Sequence, residues 1–315
     1  MSQYRILKET NINFLGVRYY AFALSGIIII AGLISLIIKG GPTWGVDFQG
    51  GVVVQAKFDR VVTTDEVRSV IESAGISDVS VQHGQTKDEA IISTPETQQI
   101  GDRETSDVMK EALIKSKAWT IDEKSINVDK VSASVGKDLI AGAIKSVSLG
   151  LLLIMIYVAI RFEFRFGLGA LMSLFHDVLV TLAFFSLMNE PIDLSAVAAF
   201  LTIIGFSIND TIVIFDRVRE NTKLLKGKTF DELLNISINQ TLSRTIITTG
   251  TALLTVLAIF VIAKVGTLHI LSLALLIGFI SGVYSTLYIA SPVARAWHYS
   301  VIPKRFRKAE SRTRT

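Results

Sequence analysis

The chain contains no cysteine, which removes thiol catalysis, thiolate metal sites and disulfide stapling together. Charge is scarce too. The 32 Lys and Arg with 28 Asp and Glu make only 19% of 315 residues, against about 25% in ordinary soluble domains. Half of the residues are hydrophobic and mean hydropathy is +0.49. That balance excludes a disordered chain, a secreted disulfide scaffold and a simple soluble enzyme. A Ser/His/Asp order, a phosphate-binding P-loop, an HExxH zinc motif and an intramembrane-protease GxGD are all missing, so covalent chemistry has no candidate site.

Long apolar runs are what the chain has instead. A spanning helix needs about 20 apolar residues, and six runs qualify, at 19–38, 139–160, 167–188, 192–215, 241–263 and 269–290. The fold class expected is a polytopic α-helical membrane protein with six transmembrane helices. Pro42, Pro95, Pro191, Pro292 and Pro303 all fall outside these runs, as helix-breaking residues at boundaries should. Basic residues crowd one side of the spans: Arg5, Lys8 and Arg18, then Arg161 and Arg165, then Arg217 through Lys228, then Arg295 through Arg314. The short loops on the other side offer only Lys264. This asymmetry predicts cytoplasmic termini, with an N-terminal arm at 1–18 and a basic tail at 291–315. The net charge of +4 is thus mainly a topology signal; the tail reads as an anchor for anionic lipid headgroups, not for nucleic acid. Lys39, Gly40, Gly41 and Pro42 follow the first run in place of a small-residue cleavage site, so it reads as an uncleaved span.

Residues 40–138 between spans one and two have the pattern of a small extracytoplasmic α/β domain. Val52, Val54, Ala56 and Phe58 alternate with Val53, Gln55 and Lys57, as in a half-buried strand. Thr63 and Glu66 form a capping box for a helix with Val67, Val70, Ile71 and Ala74 on one face, closed by Gly75. Short runs at 79–83 and 90–93, a helix from Ser106 with Met109, Ala112 and Leu113 on one face, and a strand at 126–132 complete a β-α-β-β-α-β order, the ferredoxin-like pattern. His83 is its only histidine and has no carboxylate cluster beside it; no metal site is expected.

Every charge inside the hydrocarbon needs a reason, since each costs roughly 2.5–3.5 kcal/mol even on lenient scales. His176 and Asp177 lie near the middle of span three, Asp210 in the inner half of span four and Arg244 near the start of span five. Ser207, Asp210 and Thr211 share one helical face, as do Ser173, Asp177 and Thr181, and Arg244, Thr248, Thr251 and Thr255. Such stripes are expected to face a bundle interior or a wet path. Asp210 and Arg244 could meet across the hairpin of spans four and five. Two readings stay open: an ion pair that holds two helices together, or a carboxyl that takes up and releases a proton as the guanidinium moves. Arg244 itself stays charged. His176 and Asp177, with Ser207, Asn209 and Thr248, form a possible secondary polar path, and a structural polar contact explains them equally well. Gly278 and Gly282 suggest close helix packing. Thr229 and Glu232 form a second capping box, opening an amphipathic helix with Phe230, Leu233, Leu234 and Ile236 that is expected to lie on the membrane face.

Several blocks resemble the SecF family, the smaller subunits of the SecDF auxiliary complex of bacterial protein export. Gly45-Val46-Asp47-Phe48-Gln49-Gly50-Gly51 is similar to the family's GVDFxGG signature, in which Gly45, Asp47, Gly50 and Gly51 are the defining residues. Val135-Gly136-Lys137-Asp138-Leu139, Phe175-His176-Asp177, the stretch from Phe206 to Asn221, and Leu242-Ser243-Arg244-Thr245 match in order and spacing. The resemblance implies membership of the resistance-nodulation-division superfamily and a proton gradient as the energy source, with protons as the coupling ion and no cofactor. It carries the proton-path aspartate onto Asp210 and the path's arginine onto Arg244. It also implies a SecD-like partner supplying the other half of a twelve-helix body and a further carboxylate. The remaining partners implied are the SecYEG translocon, a YajC-like accessory subunit, exported preproteins and anionic lipids. The function expected is promotion of late steps of preprotein translocation across the bacterial cytoplasmic membrane, without enzymatic catalysis. A proton-coupled exporter of lipid or small molecules and a purely structural translocon subunit are the rival classes.

Overall fold

Six helices long and apolar enough to cross a membrane dominate the computed structural model, which describes residues 10–77, 79–83, 86–94, 103–131, 133–161, 163–263 and 266–301. Arg5, Lys8, Ser132, Lys264 and the basic tail beyond Pro303 lie outside the described residues, as does the side chain of His83. In chain order the elements are α1 (Arg18–Ile38), α2 (Val46–Gln49), β1 (Gly51–Lys57), α3 (Thr64–Ser73), β2 (Ser80–His83), β3 (Glu89–Thr94), α4 (Thr105–Lys115) and β4 (Asn127–Val131). There follow α5 (Ala133–Arg161), α6 (Phe164–Met188), α7 (Leu194–Leu224), α8 (Phe230–Ile262), α9 (Thr267–Ser285), a π-helical turn (Thr286–Ala290) and α10 (Ser291–Val301).

The α/β domain forms as its alternating pattern predicts. Its antiparallel sheet has the order β2-β3-β1-β4, with α3 and α4 covering one face. Val54, Ala56, Val67, Ile71, Ile92, Met109 and Leu113 are fully buried there, and the larger of these side chains contribute roughly 1.5–3 kcal/mol each. Thr63 and Glu66 make both hydrogen bonds of the capping box, and Gly75 follows with a left-handed φ of 90°.

The helix bundle is held differently, because lipid offers no hydrophobic drive between spans and close approach of small residues takes its place. A Cβ on Gly32 of α1 would lie 2.2 Å from the Ala183 Cβ of α6, and one on Gly278 of α9 would lie 2.2 Å from the Ile203 side chain of α7. Gly282 packs on Ser207. At the bundle end carrying the α/β domain, Phe48, Phe185, Phe200 and Leu273 form a core; at the opposite end Phe166, Phe215, Phe230 and Leu234 form another.

Two expectations fail. The amphipathic segment after Thr229 is the first part of α8 itself, running without a break into the fifth span. Phe230, Leu233 and Leu234 are buried in protein and do not lie on a membrane face, because Arg165 and His298 enclose Phe230 with a cation–π contact and a stacked ring. Pro292 does not end the sixth span either, since one helical rod runs over Thr267–Ser300. The π turn just before Pro292 widens the helix where the ring would meet the preceding turn, and Ser291 Oγ donates to the Thr286 carbonyl at 3.2 Å.

Candidate functional site within the helix bundle

Asp177 is completely buried at the centre of α6 and gathers donors from two other spans. Ser207 Oγ of α7 donates to Oδ2 at 2.6 Å, Ser285 Oγ of α9 to Oδ2 at 2.8 Å, and Ser281 Oγ of α9 to Oδ1 at 2.7 Å. His176 Nδ1 lies 3.2 Å from Oδ1, and its Nε2 is hydrogen-bonded to Ser25 Oγ of α1 at 2.9 Å. The His176 ring stacks on Tyr284, whose hydroxyl donates to the Ala21 carbonyl at 2.6 Å. The two carboxyl oxygens can accept from all three serine hydroxyls. Asp177 therefore pins α6, α7 and α9 to one another, and His176 adds α1.

Asp210 of α7 is in the opposite situation. It is 4% exposed, yet its hydrogen bond in the bundle is a long one, 3.3 Å from Thr249 Oγ1 of α8 to Oδ2. Thr245, one turn before Thr249, buries its hydroxyl with no hydrogen-bond partner among the described residues. Next to Asp210, Thr211 Oγ1 lies 2.9 Å from Thr286 Oγ1, where the π turn begins. Asp210 thus meets α8 through one long hydrogen bond, whereas Asp177 joins three helices through short ones.

Arg244 lies at the edge of this interior, near enough to Asp210 for an electrostatic interaction. It is exposed on α8, and among the described residues no ion pair joins it to Asp210. The stripe of Arg244, Thr248, Thr251 and Thr255 does not face the bundle interior. Arg244, Thr251 and Thr255 are exposed, Thr248 is half-buried, and all three threonines donate to carbonyls of their own helix. The face of α8 turned inward carries Thr241, Thr245 and Thr249 instead, because the contact with Asp210 is made one residue further round the helix. Asn209 is also exposed. A polar strip at membrane depth thus runs over the outside of α7 and α8. Of the other expected stripes, Ser173 and Thr181 are buried and bond their own backbone, and Ser207 serves Asp177.

Gly45, Asp47, Gly50 and Gly51 lie well away from both acids, where the α/β domain meets the N-terminal end of α7. Ser281 and Ser285 were not singled out from sequence, although they share a helical face with Gly278 and Gly282, a legible signal. Ser25 and Thr249 carried none.

Comparison with known proteins places these features in a family. The chain matches the protein export membrane protein SecD/SecF C-terminal family over residues 110–300 and the SecD/SecF GG motif over residues 34–60. It is 39% identical to the protein translocase subunit SecF of Thermodesulfovibrio yellowstonii, over 92% of this chain and 95% of that one. It is 34% identical to the protein translocase subunit SecF of Escherichia coli O157:H7, over 88% and 84%. The crystal structure of SecDF, a translocon-associated membrane protein from Thermus thermophilus, superposes with a TM-score of 0.80 at 31% identity. That match covers 92% of this chain but 39% of the SecDF chain, so this chain spans about two fifths of it.

Proposed function

The chain belongs to the SecF family of protein translocase subunits, and from that premise we propose that it works with a SecD-like partner to couple proton movement to late steps of preprotein export across the bacterial cytoplasmic membrane. The observation that carries this reading is Asp210: a carboxyl buried at membrane depth on one long bond to a threonine. Its termini lie in the cytoplasm and its α/β domain on the outer side, as the distribution of Lys and Arg favours. Protonation of Asp210 removes its charge and weakens the contact it makes with Thr249 of α8. For a potential of about 100 mV each proton contributes roughly 2.3 kcal/mol, which shifts a two-state equilibrium by tens of fold. No bond is made or broken in the preprotein.

Exposed Asn209 and Arg244 support the need for a partner, since lipid leaves such groups unsatisfied, whereas Thr251 and Thr255 bond their own helix. A SecD-like half covers them and offers Arg244 a carboxylate. SecYEG, a YajC-like subunit, preprotein and anionic lipid complete the surroundings of this reading. The test is preprotein release from energised vesicles containing the partner, with Asp210→Asn and Arg244→Met compared at equal abundance. Both variants are expected to lose the proton-dependent part of release. Full retention by both would leave a purely structural subunit.

A further inference from the structure

The glycine-rich segment before β1 is unused by the proton site, yet it makes the tightest contacts between the α/β domain and the bundle. Gly45 N–H donates to the Ile192 carbonyl at 2.7 Å, and Ile192 N–H donates to the Thr43 carbonyl at 2.8 Å. A Cβ on Gly45 would lie 2.9 Å from the Asp193 Cβ, so only glycine lets the two strands of chain approach. Asp47 Oδ2 accepts the N–H of Leu194, the first residue of α7, at 3.1 Å. Asp193 is the helix's own cap and accepts the N–H of Ala196 at 2.8 Å. Two of the free donors at the start of α7 are thus satisfied, one from within the helix and one from the α/β domain.

The next residue, Phe48, is buried in the core shared with α6, α7 and α9. Gly50 and Gly51 then adopt φ values of 74° and 148°, a turn that other residues resist, and feed directly into β1. That strand lies between β3 and β4, inside the sheet. Gly136 of α5 closes the other side: a Cβ there would lie 2.3 Å from the Phe48 carbonyl oxygen. The start of α7, the helix that carries Asp210, is therefore linked to an inner strand of the sheet through five residues.

Resting on the proton-driven reading above, we infer that Gly45–Gly51 is the joint through which displacement of α7 moves the α/β domain, with Asp47 as the positioning residue that ties the joint to the helix. Loss of the tie leaves Asp210 and its surroundings intact and disconnects the domain from them.

The chain's lack of cysteine makes the test direct. Spin labels at Glu72→Cys on α3 and Ile262→Cys at the end of α8, both exposed, report the distance from domain to bundle by pulsed electron resonance, in lipid with a cysteine-free SecD-like partner. Asp210→Asn mimics the protonated state. In the otherwise unchanged chain it shifts the distance distribution; with Asp47→Ala the shift falls to less than half; with Asp47→Asn, which keeps an acceptor for Leu194, most of it returns. An undiminished shift with Asp47→Ala overturns the joint and sends the movement through α1 or α5. Failure of Asp47→Asn to restore any shift overturns the hydrogen-bonded tie. Absence of a shift in the parent defeats the proton-driven reading, and the joint with it. Should Asp47→Ala not assemble, two glycines inserted between Gly50 and Gly51 decide in its place: they lengthen the link while sparing the tie, and a full shift overturns the proposal.

Discussion

Replacing Asp177 by alanine removes one acceptor from three serines at once, and the structure sets the size of the effect. The three O–H···O bonds are 2.6, 2.7 and 2.8 Å long, all well-formed hydroxyl contacts. Interhelical hydrogen bonds in membranes contribute about 0.6 kcal/mol on average and up to about 1.7. Ser281→Ala, which removes one, should cost within that range. Asp177→Ala removes all three and the His176 contact, giving about 2–5 kcal/mol, or roughly 1.5 to 3.5 decades in the unfolding equilibrium. The sum falls short of full additivity because the groups share one partner, and Ser285 keeps a bond to the Gly282 carbonyl at 3.2 Å. Asp177→Asn retains an acceptor and should lie between the two. Reversible unfolding in lipid bicelles, followed by steric trapping, measures all three variants. If Asp177→Ala costs no more than Ser281→Ala, Asp177 is not a hub. If Asp177→Asn is as stable as the parent yet loses proton-dependent release as Asp210→Asn does, Asp177 belongs to the proton path.

Close packing and acid sensitivity give two further predictions. Gly278→Leu drives its Cβ into Ile203, fully buried and 2.2 Å away, parting α9 from α7 and drawing Ser281 and Ser285 off Asp177. The same trapping experiment should show a loss of about 1–3 kcal/mol, whereas Gly142→Leu, with nothing within 4 Å, should be neutral. In the α/β domain four carboxyls are held below their ordinary range: Glu66 by the Thr63 N–H and by Arg60, Glu104 by Lys130, Glu111 by Lys115, and Asp88 by the Thr86 hydroxyl. Each binds a proton less readily folded than unfolded, so its support is complete above the unfolded value and is lost as pH falls through the folded one. Hydrogen exchange of α3 and α4, corrected for intrinsic rates, should be flat from about pH 8 to about pH 6 and rise below about pH 4. A rise already at neutral pH would contradict this assignment.

Local rules made much of the fold legible. The alternation of Val52, Val54, Ala56 and Phe58 and the two capping boxes are short-range signals, and the structure carries them as read. Apolar run length located six spans, but it ended span six at Ala290, just before Pro292, and began span five at Thr241. Neither boundary is visible locally: Pro292 is accommodated by a π turn, and Phe230 is buried by Arg165 and His298 from distant segments. The site was legible only to the level of which residues are costly in a membrane. Burial cost singles out Asp177 and Asp210 alike; what separates them is the number of donors each meets, which depends on packing between spans. The phase of α8 was misread for the same reason. Its polar stripe looked inward because polar groups avoid lipid, and a surface awaiting another protein meets that requirement as well.

The different support of the two acids constrains what can move. Ser207 ties α7 to Asp177 only three residues before Asp210, and His176 brings α1 into the same network. Shifting α7 against α6 or α9 breaks short bonds between fully buried groups, and burying a polar group without its partner is costly. Between α7 and α8 the short bonds lie near their connecting loop, where Arg217 and Asn221 bind Gln240 and Ser237 at 2.6–2.9 Å; deeper in the bundle the 3.3 Å contact of Thr249 at Asp210 is the one side-chain hydrogen bond between them among the described residues. On the proton-driven reading, the displacement of lowest cost is therefore a pivot of α8 about its loop with α7, away from a block of α1, α6, α7 and α9. Since α7 holds Asp47 at its first residue, the α/β domain travels with the block. Arg244, on the outer face of α8, then changes its position relative to Asp210, and with it their electrostatic interaction, without a direct ion pair having to break.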